Sequence, residues 1–140
     1  MSARFVIDSS AWWRARRGQP GADRFEAELL LGRLLMTDVV RFEVLYSARN
    51  AQEFVEMREE LSSFDTAQID PATWARSLEV YEALAQRGGN HHRQVGHMDL
   101  LIAAAAEQAG ATLLHYDSDF DNIAEITGQP TEWIAPRGSI

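Results

Sequence analysis

Phe5-Val6-Ile7-Asp8-Ser9-Ser10 is an apolar run that stops on a carboxylate and two hydroxyls. The run is short and continuous, and residues 3–7 read as a buried strand. Asp8 then stands at the end of that strand, and Ser9 or Ser10 is placed to cap a helix passing through Trp12-Trp13. Thr112 to His115 is a second apolar strand, with Asp117 just past its end.

Working outward, Gly18-Gln19-Pro20-Gly21 is a turn, and Asp23 to Leu35 has the spacing of an amphipathic helix. Leu35-Met36 reads as a short strand. Thr37 or Asp38 caps a helix carrying Val39, Val40, Phe42, Glu43 and Tyr46. Asn50 to Phe64 is a long helix with Phe54, Met57 and Leu61 on one face. Thr66 to Ile69 reads as a strand, and Asp70-Pro71 opens a helix that runs to Arg87. Asn90 to Gly96 is a polar loop, followed by a helix from His97 to Gly110. A short helix at Phe120 to Ile126 and a strand at Glu132 to Ile134 close the chain. Short apolar strands alternating with helices imply a three-layer α/β fold, with a mainly parallel central sheet flanked by helices. In such sheets ligands bind at the carboxyl ends of the strands, where Asp8 and Asp117 fall.

With 140 residues, 46% of them hydrophobic, residues 1–140 are expected to form a single domain around one core. There is no cysteine, which excludes disulfides, thiolate zinc sites and cysteine nucleophiles. Asp8 ends the first apolar run too early for a signal peptide. The longest apolar run, Leu100 to Ala106, is far below the ~20 residues of a membrane span. A cytoplasmic protein with no membrane partner is the expectation. The net charge of −8 argues against a nucleic-acid partner taken as a sum. Clustered carboxylates that hold a cation invert that conclusion locally. All 13 basic residues are Arg.

Four acids stand beside residues that belong in a core. Asp8 closes a strand, Glu43 sits among Val39, Val40, Phe42 and Tyr46, Asp99 precedes Leu100-Leu101-Ile102, and Asp117 follows Leu113-Leu114. Buried carboxylates are costly unless paired or bound to metal. Singly, each has an ordinary reading: Asp99 as a first-turn acid, Asp117 as a turn residue, Glu43 as a solvated helix position.

Together, and in this order, the motifs resemble the PIN-domain family. Val6-Ile7-Asp8-Ser9-Ser10 is similar to its opening motif, and Glu43 on a helix after a short second strand to its second acid. His97-Met98-Asp99-Leu100-Leu101-Ile102-Ala103 resembles the third motif, and Leu113-Leu114-His115-Tyr116-Asp117-Ser118-Asp119-Phe120 the fourth. The small size resembles VapC-type toxins of toxin–antitoxin pairs. The resemblance implies a PIN-like fold and an endoribonuclease. It makes Asp8, Glu43, Asp99 and Asp117 the catalytic, metal-binding acids, with Asp119 auxiliary and Ser10 supporting the site. It further implies an RNA substrate, a cognate VapB-type antitoxin and a homodimer. His115 departs from the family, which often has Thr or Ser there.

An all-oxygen donor set suits Mg²⁺ or Mn²⁺ better than zinc. Attack by a metal-activated water would leave a 3′-hydroxyl and a 5′-phosphate. His91, His92 and His97 form a polar, solvated or RNA-facing loop rather than a zinc site. Trp12 and Trp13 can stack on bases or pack in a core or interface. Arg14, Arg16 and Arg17 can meet RNA, an antitoxin or solvent. Three other readings stand beside this one: an aspartyl phosphatase, a PIN nuclease of RNA processing, and a non-catalytic PIN-like binding module. The first is opposed by Ser10, where a second Asp is usual, and by the absence of Lys.

Overall fold

The computed structural model describes residues 3–140. Phe5–Ile7 forms β1, buried throughout, and its apolar side chains sit at the centre of the molecule. It pairs in parallel with β2 (Leu34–Met36) on one side and β4 (Thr112–His115) on the other. β3 (Asp65–Thr66) extends the sheet beyond β2, and β5 (Thr131–Trp133) beyond β4. The strand order is therefore β3-β2-β1-β4-β5, all parallel. The chain winds outward from β1 to β3 and then returns to β4. The turning point of the topology lies between β1 and β4, where α/β sheets open a crevice.

The first two connections carry α1 (Ser9–Arg16), α2 (Ala22–Leu30), α3 (Asp38–Leu45) and α4 (Ala51–Ser62). The later ones carry α5 (Pro71–Gln86), a 3₁₀ turn (His91–Arg93), α6 (His97–Gln108) and α7 (Asp119–Thr127). α1 packs on α2 and α3, while α5, α6 and α7 pack on one another. α3 also meets α6, which brings two acid-bearing helices together. Ala103 to Ala106 are buried, so the small side chains of α6 let it lie close to the strands.

Several expected boundaries shift. The helix expected over 23–35 ends at Leu30, because Gly32 at φ +68° turns the chain into β2. Leu34 and Leu35 are strand residues, and Leu30 and Leu31 are exposed rather than core. The third strand is two residues, Asp65–Thr66, instead of 66–69, although Ala67 still donates to the Met36 carbonyl. Neither Ser9 nor Ser10 caps α1. Asp8 does, accepting from the Ala11 amide at 3.2 Å. Phe42 and Tyr46 are exposed, so Val40 and Val44 form the buried side of α3. Trp12 is core: its ring meets Phe25 and Phe64 edge-on, at centroid distances of 6.2 and 5.9 Å. Arg14 is buried and donates to the carbonyls of Pro20 and Ser139, which removes it from any binding surface. Arg16 is paired with Glu60.

Candidate metal centre

The first acid follows β1 directly. Asp8 is 2% exposed, and Ser10 Oγ lies 2.7 Å from both of its carboxylate oxygens. The same hydroxyl accepts from the Tyr116 amide at 2.9 Å. One side chain thus ties the end of β1 to the end of β4. Burial pushes the Asp8 carboxyl up to about 7, opposed by the hydrogen bonds from Ser10 and Ala11 and reinforced by the charge of Asp117.

Asp117 is held through its backbone and its side chain. Its amide donates to His115 Nδ1 at 3.1 Å, and its Oδ1 accepts from the Asp119 amide at 2.9 Å. The second contact is an Asx turn, which folds residues 117–119 into a compact loop at the start of α7. His115 is fully buried between the rings of Phe120 and Trp133. Burial lowers its pKa. With Nδ1 accepting, the ring proton belongs on Nε2, which has no partner among the described residues.

Asp99 comes from the first turn of α6, whose N-cap is Gly96. A Cβ on Gly96 would stand 3.1 Å from Asp99 Oδ2, so the missing side chain leaves room for that carboxylate. Asp99, Asp117 and Asp119 each offer a carboxylate oxygen, all within 4.8 Å of one another. Burial first, then the charges of Asp117, Asp8, Asp119 and Glu43, push the Asp99 carboxyl up to about 8. Burial and Asp117 raise Asp119, against hydrogen bonds from Gly96 and Asp99.

Asp8 and Glu43 stand outside that tight trio, although both lie near enough for their charges to raise Asp99. Glu43 is exposed on α3. Burial nevertheless raises it, with the Ser9 hydroxyl acting the other way. No ion pair among the described residues involves Asp8, Glu43, Asp99, Asp117 or Asp119. Five acids therefore surround one crevice with no side-chain cation to neutralise them. That is a poor arrangement for stability and a good one for a hard divalent ion.

Asp119, expected as an auxiliary acid, is one of the three whose oxygens lie within 4.8 Å of one another. Gly96, which sequence reasoning did not connect to the acids, borders Asp99, and His115, read from sequence only as a departure within the fourth motif, accepts from the Asp117 amide. A glycine three residues before Asp99 was the available signal. His91 and His92 lie in the 3₁₀ turn that precedes Gly96. The Tyr81 ring is tilted against His92 and edge-on to His97, and its hydroxyl is 3.3 Å from His97 Nε2.

The chain is 43% identical over 136 residues to Ribonuclease VapC18 of Mycobacterium tuberculosis, covering 97% of this chain and 98% of that protein. It is 39% identical over 141 residues to Ribonuclease VapC51 of the same organism, covering 100% and 99%. A chain in the crystal structure of DNA-bound VapBC from Salmonella typhimurium superposes with a TM-score of 0.74 at 17% identity, covering 96% of this chain and 100% of that one. The profile of the PIN domain matches residues 5–126, and the chain belongs to the PIN-domain family.

Proposed function

We propose that this chain, acting as one domain over residues 1–140, is a Mg²⁺- or Mn²⁺-dependent endoribonuclease and the toxin of a toxin–antitoxin pair. The observation that carries the reading is the uncompensated acid cluster at the turning point of the sheet, in a chain whose full-length relatives are named ribonucleases. Asp99, Asp117 and Asp119 would hold the ion directly, with Asp8 beside them and Glu43 at the open side. Ser10 would fix the orientation of Asp8.

When bound, the ion supplies neutralisation of the phosphodiester charge and acidification of the attacking water. The protein's part is to aim oxygen donors before the ion arrives. Ser10 and the Ala11 amide hold the Asp8 carboxylate. His115 and the Asx turn hold Asp117. Gly96 leaves space for Asp99. Each contact removes rotamer freedom that binding would otherwise have to remove.

The substrate is RNA, and the partner is a VapB-type antitoxin that restrains the enzyme in the cytoplasm. A chain in a toxin–antitoxin complex from Klebsiella pneumoniae shares the fold, with a TM-score of 0.65 at 19% identity. No helix among the described residues is long and apolar enough to cross a membrane. The exposed Phe42, Tyr46, Trp74, Leu78 and Met98 support the homodimer reading, since Met98 lines both the hollow on α3 and the hollow on α5.

Expression of the chain alone tests this. Growth should arrest, co-expression of the neighbouring small gene should relieve the arrest, and Asp8→Asn should be harmless by itself. Unimpaired growth with soluble, RNA-cleaving protein would favour RNA processing over a toxin.

A further inference from the structure

The arginines sort into two groups. Eight of them, Arg4, Arg16, Arg24, Arg33, Arg41, Arg49, Arg76 and Arg87, are paired with carboxylates. Arg14 is buried against carbonyls. Arg17, Arg58, Arg93 and Arg137 have no carboxylate partner among the described residues, and all four are exposed. In a protein of net charge −8, such free cations are what a polyanion can meet.

Two of the four, Arg93 and Arg137, stand close to residues that border the acid cluster. Gly96 borders the acid cluster, since a Cβ there would stand 3.1 Å from Asp99 Oδ2. Arg93 ends the 3₁₀ turn three residues before that glycine, at most about 11 Å away along the chain. Trp133 Nε1 donates to Asp121 Oδ1, in the first turn of α7, at 3.1 Å. The Arg137 guanidinium lies over the Trp133 ring, 5.7 Å from its centroid, which holds a long side chain in place without neutralising it. Arg17 sits past the end of α1, about 13 Å along the axis from Asp8. Arg58 borders a hollow with Asp38 and Leu61 that none of the five acids lines.

We propose that Arg93 and Arg137 bind backbone phosphates of an RNA strand on either side of the bond presented to the acid cluster. This rests on the ribonuclease reading and adds the path of the substrate. A metal at the acids neutralises one phosphate only. The neighbouring phosphates would face uncompensated carboxylates unless fixed cations stood beside the loop. Arginine suits this role, because its guanidinium meets phosphate oxygens bidentately.

The test uses the whole chain carrying Asp8→Asn to prevent cleavage, and a labelled single-stranded oligoribonucleotide of mixed sequence in Mg²⁺ buffer. Arg93→Ala and Arg137→Ala should each weaken binding about 3–10-fold, and the double variant by more. The slope of log affinity against log salt should become shallower by about 0.7 for each arginine removed. Arg58→Ala should bind as the parent does, and all variants should melt alike. In the otherwise native protein, Arg137→Ala should raise KM with little change in kcat.

Unchanged affinity and slope in the double variant, or an equal loss in Arg58→Ala, would overturn the proposal. If the double variant kept RNA binding but escaped its antitoxin, the arginines would belong to a protein interface, and the proposal would fail. Native protein that cleaves RNA while the double variant binds normally would sink this inference alone. Neither cleavage nor binding would sink it together with the ribonuclease reading.

Discussion

The backbone amide of Asp117 donates to Nδ1 of His115, two residues earlier, at 3.1 Å. A fully buried imidazole thereby fixes the peptide that carries an acid of the central trio. It acts as a positioning residue at the place where the family often has Thr or Ser. Asparagine can offer an acceptor near the same point, and leucine cannot. His115→Leu should therefore leave the Asp117 amide unpaired, at about 1–3 kcal/mol, and lower Mn²⁺ affinity roughly tenfold if about 1.4 kcal/mol of positioning is lost. His115→Asn should keep more of that affinity despite poorer packing. Titration calorimetry with Mn²⁺ and thermal melting separate the two effects. Equal Mn²⁺ affinity in native protein and His115→Leu would refute the positioning role.

Metal-free protein should lose stability as pH rises. The carboxyls of Asp8 and Asp99 are raised to about 7 and about 8 in the fold from an ordinary value of 3.8. Below that ordinary value both states are protonated, and neither group matters. Between there and about pH 8 the unfolded chain binds fewer protons than the folded one, so stability falls with pH and then levels off. Melting in EDTA from pH 5 to 8.5 should show the decline, and Mn²⁺ should reverse most of it. Asp8→Asn or Asp99→Asn should raise the metal-free Tm at pH 8 by several degrees. A pH-independent Tm in EDTA would argue against buried, mutually repelling acids.

Gly96 should matter for space alone. Its φ is −66°, so alanine fits the backbone, but its Cβ would crowd Asp99 Oδ2 at 3.1 Å. Gly96→Ala is expected to fold with a Tm near native, within about 1 kcal/mol, yet to bind Mn²⁺ several-fold more weakly. Native Mn²⁺ affinity in Gly96→Ala would show that Asp99 has room to spare.

Asp119 and Glu43 should exchange the importance that sequence order suggests. Asp119 belongs to the group within 4.8 Å, whereas Glu43 is exposed and outside it. Asp119→Asn should reduce Mn²⁺ affinity more than Glu43→Gln. The opposite ranking by calorimetry would move the ion toward α3.

Much of the fold was legible because β1 and β4 are short strands with apolar centres and an acid just past each end. Periodicity located α5 and α6 within a residue or two, and Asp70-Pro71 marked the start of α5. The end of α2 was not legible. Leu29, Leu30, Leu31, Leu34 and Leu35 form one apolar stretch in which only the Gly32 turn separates exposed helix from buried strand. Phe42 and Tyr46 misled in the same way, since apolar residues on an outer face read like core. Of the site, Asp8, Asp99 and Asp117 were visible as acids in apolar surroundings. The standing of Asp119, the acceptor role of His115 and the missing side chain of Gly96 depend on how three loops meet, which spacing along one chain does not encode.

The central claim is hydrolysis of RNA by water at a divalent ion held on these acids. The most direct measurement is cleavage of an RNA carrying a single 2′-deoxy sugar at the scissile position, followed by analysis of the product ends. Cleavage should persist, stop in EDTA, return with Mg²⁺ or Mn²⁺, vanish in Asp99→Asn, and leave a 5′-phosphate. Full activity in EDTA, or a 2′,3′-cyclic phosphate formed from all-ribose RNA and no cleavage at the deoxy position, would contradict it.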